Sequence, residues 1–327
     1  MRKFGRILLW PVLLGIIAWG TLAIYYSYLP EIARGILSLL FALVQLDIVL
    51  FFHPKRLAYK VFFVLFILVL AGWFSMKPSN GREWQTDVAL LPHAAIQGDQ
   101  VTVYNIRNCD YRSENDYTVQ YYNQTFDLSS LDSVDLYLVN WGIKHISHPM
   151  ISFGFKGGQY LCVSIETRKE KGEDYSTIKG FFRQYELIYV AADERDVVRL
   201  RTNYRKGETV YLYRIQGTKA FFRSIFLDYI EYINHLHTNP EWYNALTGNC
   251  TTQIRGHARL YTDRPWDWRI VLNGTVDEMA YERGLLDQSF PFETLKQKSR
   301  INARARALDQ DRDFAIRIRE GLPGMGG

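Results

Sequence analysis

The stretch Ser147-His148-Pro149-Met150-Ile151-Ser152-Phe153-Gly154-Phe155-Lys156-Gly157-Gly158-Gln159-Tyr160-Leu161-Cys162-Val163-Ser164-Ile165-Glu166 reads as two strands joined by a tight turn. Short alternating runs argue for extended chain on both sides, and Lys156-Gly157-Gly158 supplies the turn. With those three residues as the loop, Phe155 pairs with Gln159. Counting back along the antiparallel pair, His148 lies opposite Glu166 on the same face. A carboxylate across from an imidazole is the orienting group that a cysteine–histidine pair requires. A two-residue loop would put Thr167 there instead, so the pairing rests on register. A lone histidine at a turn edge, bonded only to backbone, would leave the same sequence.

Outward from this hairpin, further strands are expected at 101–106, 134–140, 185–191 and 209–214. A helix is expected over 219–237, where Phe222, Ile225, Phe226, Tyr229, Ile233 and Leu236 recur at helical spacing and Pro240 follows. Another should start near Asn249-Cys250 and run to about Leu260. Residues 292–320 mix charge and alanine and read as one or two exposed helices. Strands first and helices later imply an α+β fold rather than a doubly wound sheet.

The chain has 327 residues, 48% of them hydrophobic, and a formal net charge of +5. Most of the apolar excess falls in residues 1–77. Three runs there, at about 7–30, 35–52 and 57–76, are near the roughly 20 apolar residues a bilayer-spanning helix needs. The first is too long for a cleaved signal peptide, and Tyr25-Tyr26-Ser27-Tyr28 is a poor cleavage site. Asp47 would cost about 2.5–3.5 kcal/mol at a bilayer centre, so a re-entrant second segment stays open. Arg2, Lys3 and Arg6 precede the first run, and Lys55, Arg56 and Lys60 lie between the second and third. With three crossings, basic residues on the inner side deliver residue 78 onward to the outer face. The expected organisation is a membrane anchor at 1–77, a catalytic domain at 78–285 and a helical extension at 286–327. No basic cluster interleaved with aromatics points to nucleic acid.

Cys109, Cys162 and Cys250 are too few and too scattered for a disulfide scaffold or a zinc site. In Trp242-Tyr243-Asn244-Ala245-Leu246-Thr247-Gly248-Asn249-Cys250-Thr251-Thr252, Gly248 and Asn249 are loop and cap residues. Cys250 then falls in the first helical turn, where free N–H groups and the helix dipole favour a thiolate. A small cysteine filling a helix–sheet gap would look the same. His148 is the candidate base and Glu166 its orienter. Cys162 shares the His148 face and competes as nucleophile, though a mid-strand thiol lacks the helix-end field. His257 is expected to face solvent. Arg168, Lys169 and Lys171, in a charged turn beside the site, are candidates to hold a phosphate headgroup.

A histidine hairpin followed much later by an Asn-Cys helix start resembles the circularly permuted papain-like (NlpC-related) fold. Four blocks sharpen the likeness: Arg107-Asn108-Cys109-Asp110-Tyr111-Arg112, Ser147-His148-Pro149-Met150-Ile151-Ser152-Phe153-Gly154-Phe155, Ser164-Ile165-Glu166-Thr167-Arg168 and Asn249-Cys250-Thr251-Thr252. Together with Phe181-Phe182-Arg183-Gln184-Tyr185-Glu186-Leu187, they resemble the Lnb-type periplasmic domain. Pro149 departs from the threonine expected in the histidine block, and by removing a strand donor it suggests that this segment is an edge. Characterised members of that family are bacterial lipoprotein N-acyltransferases. The resemblance implies a protein of the inner (cytoplasmic) membrane with its catalytic domain in the periplasm. It implies a membrane phospholipid as acyl donor, lipoproteins as acceptors, and Cys250, His148 and Glu166 as catalytic residues. Arg168, Lys171 and Asn249 are the candidate substrate-binding residues, with no metal or diffusible cofactor. Two rivals stay open: a cysteine hydrolase cutting cell-wall peptides or lipid esters, and a binding module that kept the shell without the chemistry.

Overall fold

The structure is a computed structural model of the full chain and describes residues 2–143, 145–245, 247–259, 266–271 and 273–325. The chain divides into two compact units, Met1–Ser79 with Tyr175–Tyr185, and Asn80–Asp174 with Glu186–Gly327.

The first unit is built on three helices, α1 (Arg2–Tyr25), α2 (Glu31–Leu50) and α3 (Lys55–Ser75). Its small core joins Leu13 and Ile17 of α1 to Ile48 and Val49 of α2 and to Ala58 and Phe62 of α3. Gly20 allows α1 and α2 to approach, since a Cβ there would stand 2.6 Å from the Phe41 ring. Gln45 crosses to α3 and donates to the Phe62 carbonyl at 3.1 Å. Helices α2 and α3 are long and apolar enough to cross a membrane, whereas the apolar part of α1, Leu9–Tyr25, is shorter. The 175–185 segment is fastened here by Arg183, which lies over the Trp73 ring at 3.9 Å and donates to the Trp73 carbonyl at 3.0 Å.

The strands of the second unit are β1 (His93–Gln97), β2 (Gln100–Arg107), β3 (Asp110–Tyr111), β4 (Tyr117–Thr118), β5 (Tyr121–Asp127), β6 (Leu131–Asn140), β7 (Ser147–Phe155), β8 (Gln159–Arg168), β9 (Glu186–Ala192) and β10 (Thr209–Arg214). The main sheet runs β1-β2-β9-β8-β7-β6-β10, with β5 also paired to β2. Every pairing is antiparallel except the parallel contact of β2 with β9 at Arg107 and Ala192. The sheet is thus mixed, and the fold is α+β as expected. The β7–β8 turn is the expected one: Phe155 pairs with Gln159 around Lys156-Gly157-Gly158. Gly157 and Gly158 have φ of 87° and 83°, a region that other residues rarely adopt.

Helices α4 (Glu194–Arg199), α5 (Lys219–Thr238), α6 (Cys250–Arg259), α7 (Val276–Glu282), α8 (Phe292–Lys298), α9 (Asn302–Ala307) and α10 (Phe314–Arg317) cover the sheet. The expected end of α6 at Leu260 lies outside the described residues. On one face, Leu136, Ile151, Phe153 and Tyr189 pack against Phe226 and Tyr229 of α5, Cys250 of α6 and Met279 of α7. On the other, Tyr137, Met150, Cys162 and Val190 pack against Ile301, Ala305, Phe314 and Ile318. The C-terminal helices expected to be exposed therefore form the second core, and Ile301 and Phe314 are fully buried. Charge misled the expectation. Arg319 is buried and answered by Asp135 at 2.8 Å and Glu194 at 2.6 Å, a pairing no local pattern announces.

Candidate active site

Alternation along β7 sends neighbouring residues to opposite faces of the sheet. Ser147, Pro149 and Ile151 point towards α5 and α6, while His148, Met150 and Ser152 point towards the C-terminal helices. The β7–β8 ladder ends at Met150–Ser164, so His148 and Glu166 lie just past the last pair. Proline cannot donate at position 149, yet β7 is not the edge its presence suggested: it lies between β8 and β6 and pairs with β6 through Pro149 and Leu138, and only the β8 side is open from Pro149 back.

Past the ladder's end the His148 ring meets Ser164 rather than Glu166 directly. Nε2 lies 2.8 Å from Ser164 Oγ, which donates to Glu166 Oε1 at 2.7 Å. The direct His148–Glu166 separation is 3.9 Å. The register therefore brings the two residues together as expected, with a hydroxyl between them. Arg201 Nη2 reaches Glu166 Oε1 at 3.3 Å, and its Nη1 lies 3.4 Å from Glu208. Arg201 sits on a π-helical turn, Leu200–Tyr204, directly after α4. Burial pushes the His148 ring down to about 3, with Arg201 adding to the shift and Glu166 opposing it. Burial would raise Glu166, but Arg201 and His148 outweigh it and hold the carboxyl well below its usual range. His148 is thus neutral at rest. No hydrogen bond engages its Nδ1 among the described residues.

Cys250 is the first residue of α6, and Asn249 caps the helix: Oδ1 accepts from the Thr251 and Thr252 N–H groups, each at 3.0 Å. Asn249 Nδ2 is occupied by the Ala245 carbonyl at 3.0 Å. Its observed work is to build the helix start. The Cys250 thiol is buried beside Thr251 Oγ1 at 3.9 Å and Asn273 Nδ2 at 3.8 Å. Burial pushes this thiol up to about 11, outweighing the hydrogen bonds from Thr251 and the pull of Arg201. The helix start alone implied easier ionisation, and the buried setting reverses it.

Asn273 links the two segments. Its Nδ2 donates to Thr251 Oγ1 at 2.6 Å, while its Oδ1 accepts from Ser147 N at 2.8 Å and its carbonyl from Ser147 Oγ at 2.7 Å. The cysteine helix is thereby tied to the residue preceding His148. Arg201 acts on both the thiol and the imidazole, which places both groups within its field. Among the described residues, no hydrogen bond joins Cys250 Sγ to His148.

The other candidates fall elsewhere. Arg168 is buried, with Nε on the Val88 carbonyl at 2.9 Å, Nη2 on the Ala89 carbonyl at 2.8 Å and Nη1 on Asn80 at 3.1 Å. Its guanidinium lies 4.2 Å over Trp84, so it braces the polar entry segment and is not open to a headgroup. Lys171 is exposed. Cys162 is fully buried in the second core, where burial drives its thiol upward, so it is shut off from solvent as a nucleophile. His257 does not face solvent. It is 5% exposed, with Nδ1 bonded to Asp228 and Nε2 2.8 Å from the Tyr189 hydroxyl. Ser164 was legible in the same register as Glu166, two residues earlier on one face. Arg201 and Asn273 carried no local signal, because they arrive from distant segments.

No curated protein and no solved structure matches the chain. The family model of the Lnb N-terminal periplasmic domain matches residues 117–274, just under half of the chain. The Lnb-type resemblance of the sequence blocks is therefore borne out over the stretch that carries His148, Ser164, Glu166, Cys250 and Asn273.

Proposed function

We propose that this protein is a membrane-anchored acyltransferase that uses Cys250 as nucleophile and His148 as base, with its catalytic domain in the periplasm of a bacterium and its anchor in the inner membrane. The observation that carries it is the Asn273 bridge: one side chain reaches Cys250 Sγ and Ser147 together, at the open end of the β7–β8 ladder. His148 presents a neutral ring whose Nε2 is engaged by Ser164; β7 directs it to the face opposite α6, but it stands past the last β7–β8 pair, and the proposed transfer has its unengaged Nδ1 turn to the thiol around that open end. A thiol near 11 and an imidazole near 3 do not form a standing ion pair. The proton moves as the sulfur attacks.

In the first half-reaction the sulfur bonds to an ester carbonyl of a membrane lipid, the ester C–O bond breaks, and the imidazolium returns its proton to the leaving oxygen. Asn249 holds the Thr251 and Thr252 N–H groups and Thr251 Oγ1 takes one Asn273 Nδ2 hydrogen, so the proposed oxyanion donors are Cys250 N–H and the second Asn273 Nδ2 hydrogen, which faces Sγ. In the second, the α-amine of a lipoprotein's lipidated N-terminal cysteine attacks the thioester. The C–S bond breaks, and the amine proton passes through His148 to sulfur. The acceptor is supported by the family match, whose domain is periplasmic, and by apolar helices long enough to cross a membrane. A permuted papain-like arrangement is supported by a histidine strand that precedes a cysteine helix packed on the sheet.

The test is mass spectrometry of the purified full-length chain incubated with phospholipid vesicles and no acceptor. The peptide containing Cys250 should gain one fatty acyl mass, released by neutral hydroxylamine, and an added diacylated lipopeptide should take up the chain as an amide. Lipopeptide N-acylation by Cys250→Ala would end this reading. Transfer to water alone would make the protein a lipid hydrolase.

A further inference from the structure

The face of the sheet that carries Cys250 also holds a cavity of about 170 Å³. Leu136 and Ile151 from the sheet, Ile225 from α5, Ile254 from α6 and Ala280 from α7 wall it with hydrocarbon. Two further wall residues tie it to the chemistry. Thr251 adjoins Cys250 and shares the Asn273 amide with it, and Pro149 adjoins His148. An enclosed apolar cavity of about 150 Å³ takes up benzene, so an apolar pocket of this size can hold a comparable hydrocarbon. Arg255, half-buried on the same wall, has no acidic partner among the described residues. An apolar wall beside an unanswered guanidinium suits an amphiphile whose chain is hydrocarbon and whose head is anionic.

We propose that this cavity receives the part of the acyl chain nearest the reacting carbonyl, on the order of six carbons by comparison with benzene, and so makes Cys250 selective for fatty acyl over acetyl-sized donors. The proposal rests on Cys250 being the acylated residue and adds where the chain goes. Acyl groups short of the cavity forgo the burial that each further methylene gains, so the preference should rise with length and then level off. Ala280 is the smallest side chain on the wall, and enlarging it fills the space from α7.

Acylation of the full-length chain in detergent micelles by p-nitrophenyl acetate, butyrate and octanoate tests this. The sulfur displaces p-nitrophenolate, which is followed by absorbance, while mass spectrometry locates the acyl group. The octanoyl-to-acetyl ratio of kcat/KM should exceed tenfold in the wild type. It should fall at least tenfold in Ala280→Phe and in Val276→Phe, which fills from the same helix. A ratio is unaffected by loss of folded protein, so partial misfolding does not mimic the result. If Cys250 is acylated by every ester without preference, or both variants keep the wild-type ratio, the cavity does not hold the chain and the nucleophile assignment survives. If no ester acylates Cys250, the nucleophile assignment fails and the cavity proposal falls with it.

Discussion

On one face of β7, Ser147, Pro149 and Ile151 meet Asn273, α6 and an apolar cavity; on the other, His148 and Ser152 meet charge. The charged side runs from Ser164 through Glu166 and Arg201 to Glu208, and from Ser152 through Glu194 to Arg319. A strand buried on both faces thus separates two tasks by a single residue's alternation. In the proposed reaction the apolar face receives the chain and the sulfur, and the charged face sets the proton's position. Desolvation acts in both places, and Arg201 bears on both with opposite results. At the imidazole it adds to burial and the ring is held neutral, whereas at the thiol it opposes burial, which still keeps the sulfur protonated. The proposed acyl transfer needs both faces, so removing one side at a time tests it.

The largest effect is expected from His148→Ala. If the charged face supplies the base, acyl transfer from phospholipid should fall by about 10²–10⁴-fold, the usual worth of a positioned general base. Alkylation of Cys250 by iodoacetamide at pH 10 should fall far less, because hydroxide then removes the proton. Equal loss in both assays would mean that His148 is structural and that the base lies elsewhere.

A smaller, graded effect separates the hydroxyl from the carboxylate. Ser164→Ala should cost about 10²-fold in kcat, since it removes the group touching the ring and strands a buried acceptor. Glu166→Gln keeps an acceptor for Ser164 and loses only the charge, so a loss of about 10-fold is expected. KM for donor should stay near the wild-type value in both. A larger loss in Glu166→Gln than in Ser164→Ala would show that the carboxylate acts on the ring without the hydroxyl between them.

The hairpin was legible because three local facts agreed: alternation, a Lys-Gly-Gly turn and a proline where pairing with β8 stops. Period two then fixed His148 and Glu166 on one face, and Ser164 with them. The cap at Asn249 and the helix start at Cys250 were equally local. The side of the sheet against which that helix packs was not local, since its place depends on Asn273 and on α5. The same holds for Arg201, delivered by a π-helical turn, and for Arg319, whose partners lie 184 and 125 residues away. Arg168 and His257 failed for a related reason. A charged or polar residue in a polar run reads as surface, and only the fold shows the carbonyls or the Asp228 carboxylate that satisfy it.

The smallest effect concerns stability and tests whether the charged face holds His148 neutral. The unfolded ring titrates near its ordinary value of 6.5 and the folded one near 3. Between those values the unfolded chain binds a proton that the folded chain refuses, so stability is present above about pH 6.5 and is lost as pH falls towards 3. One such group contributes at most about 1.4 kcal/mol per pH unit. Glu166, held low in the fold, adds a loss of the same sign at lower pH. Denaturant unfolding of the full-length chain in detergent at pH 7, 6, 5 and 4.5 gives the slope. His148→Gln should flatten it by close to one proton over that window, because glutamine has no proton to refuse. His257 and His93, also lowered, remain in both proteins and cancel in the difference. Identical slopes for wild type and His148→Gln would mean that the ring protonates as readily in the folded chain as in the unfolded one, and the imidazole held neutral by burial would be overturned.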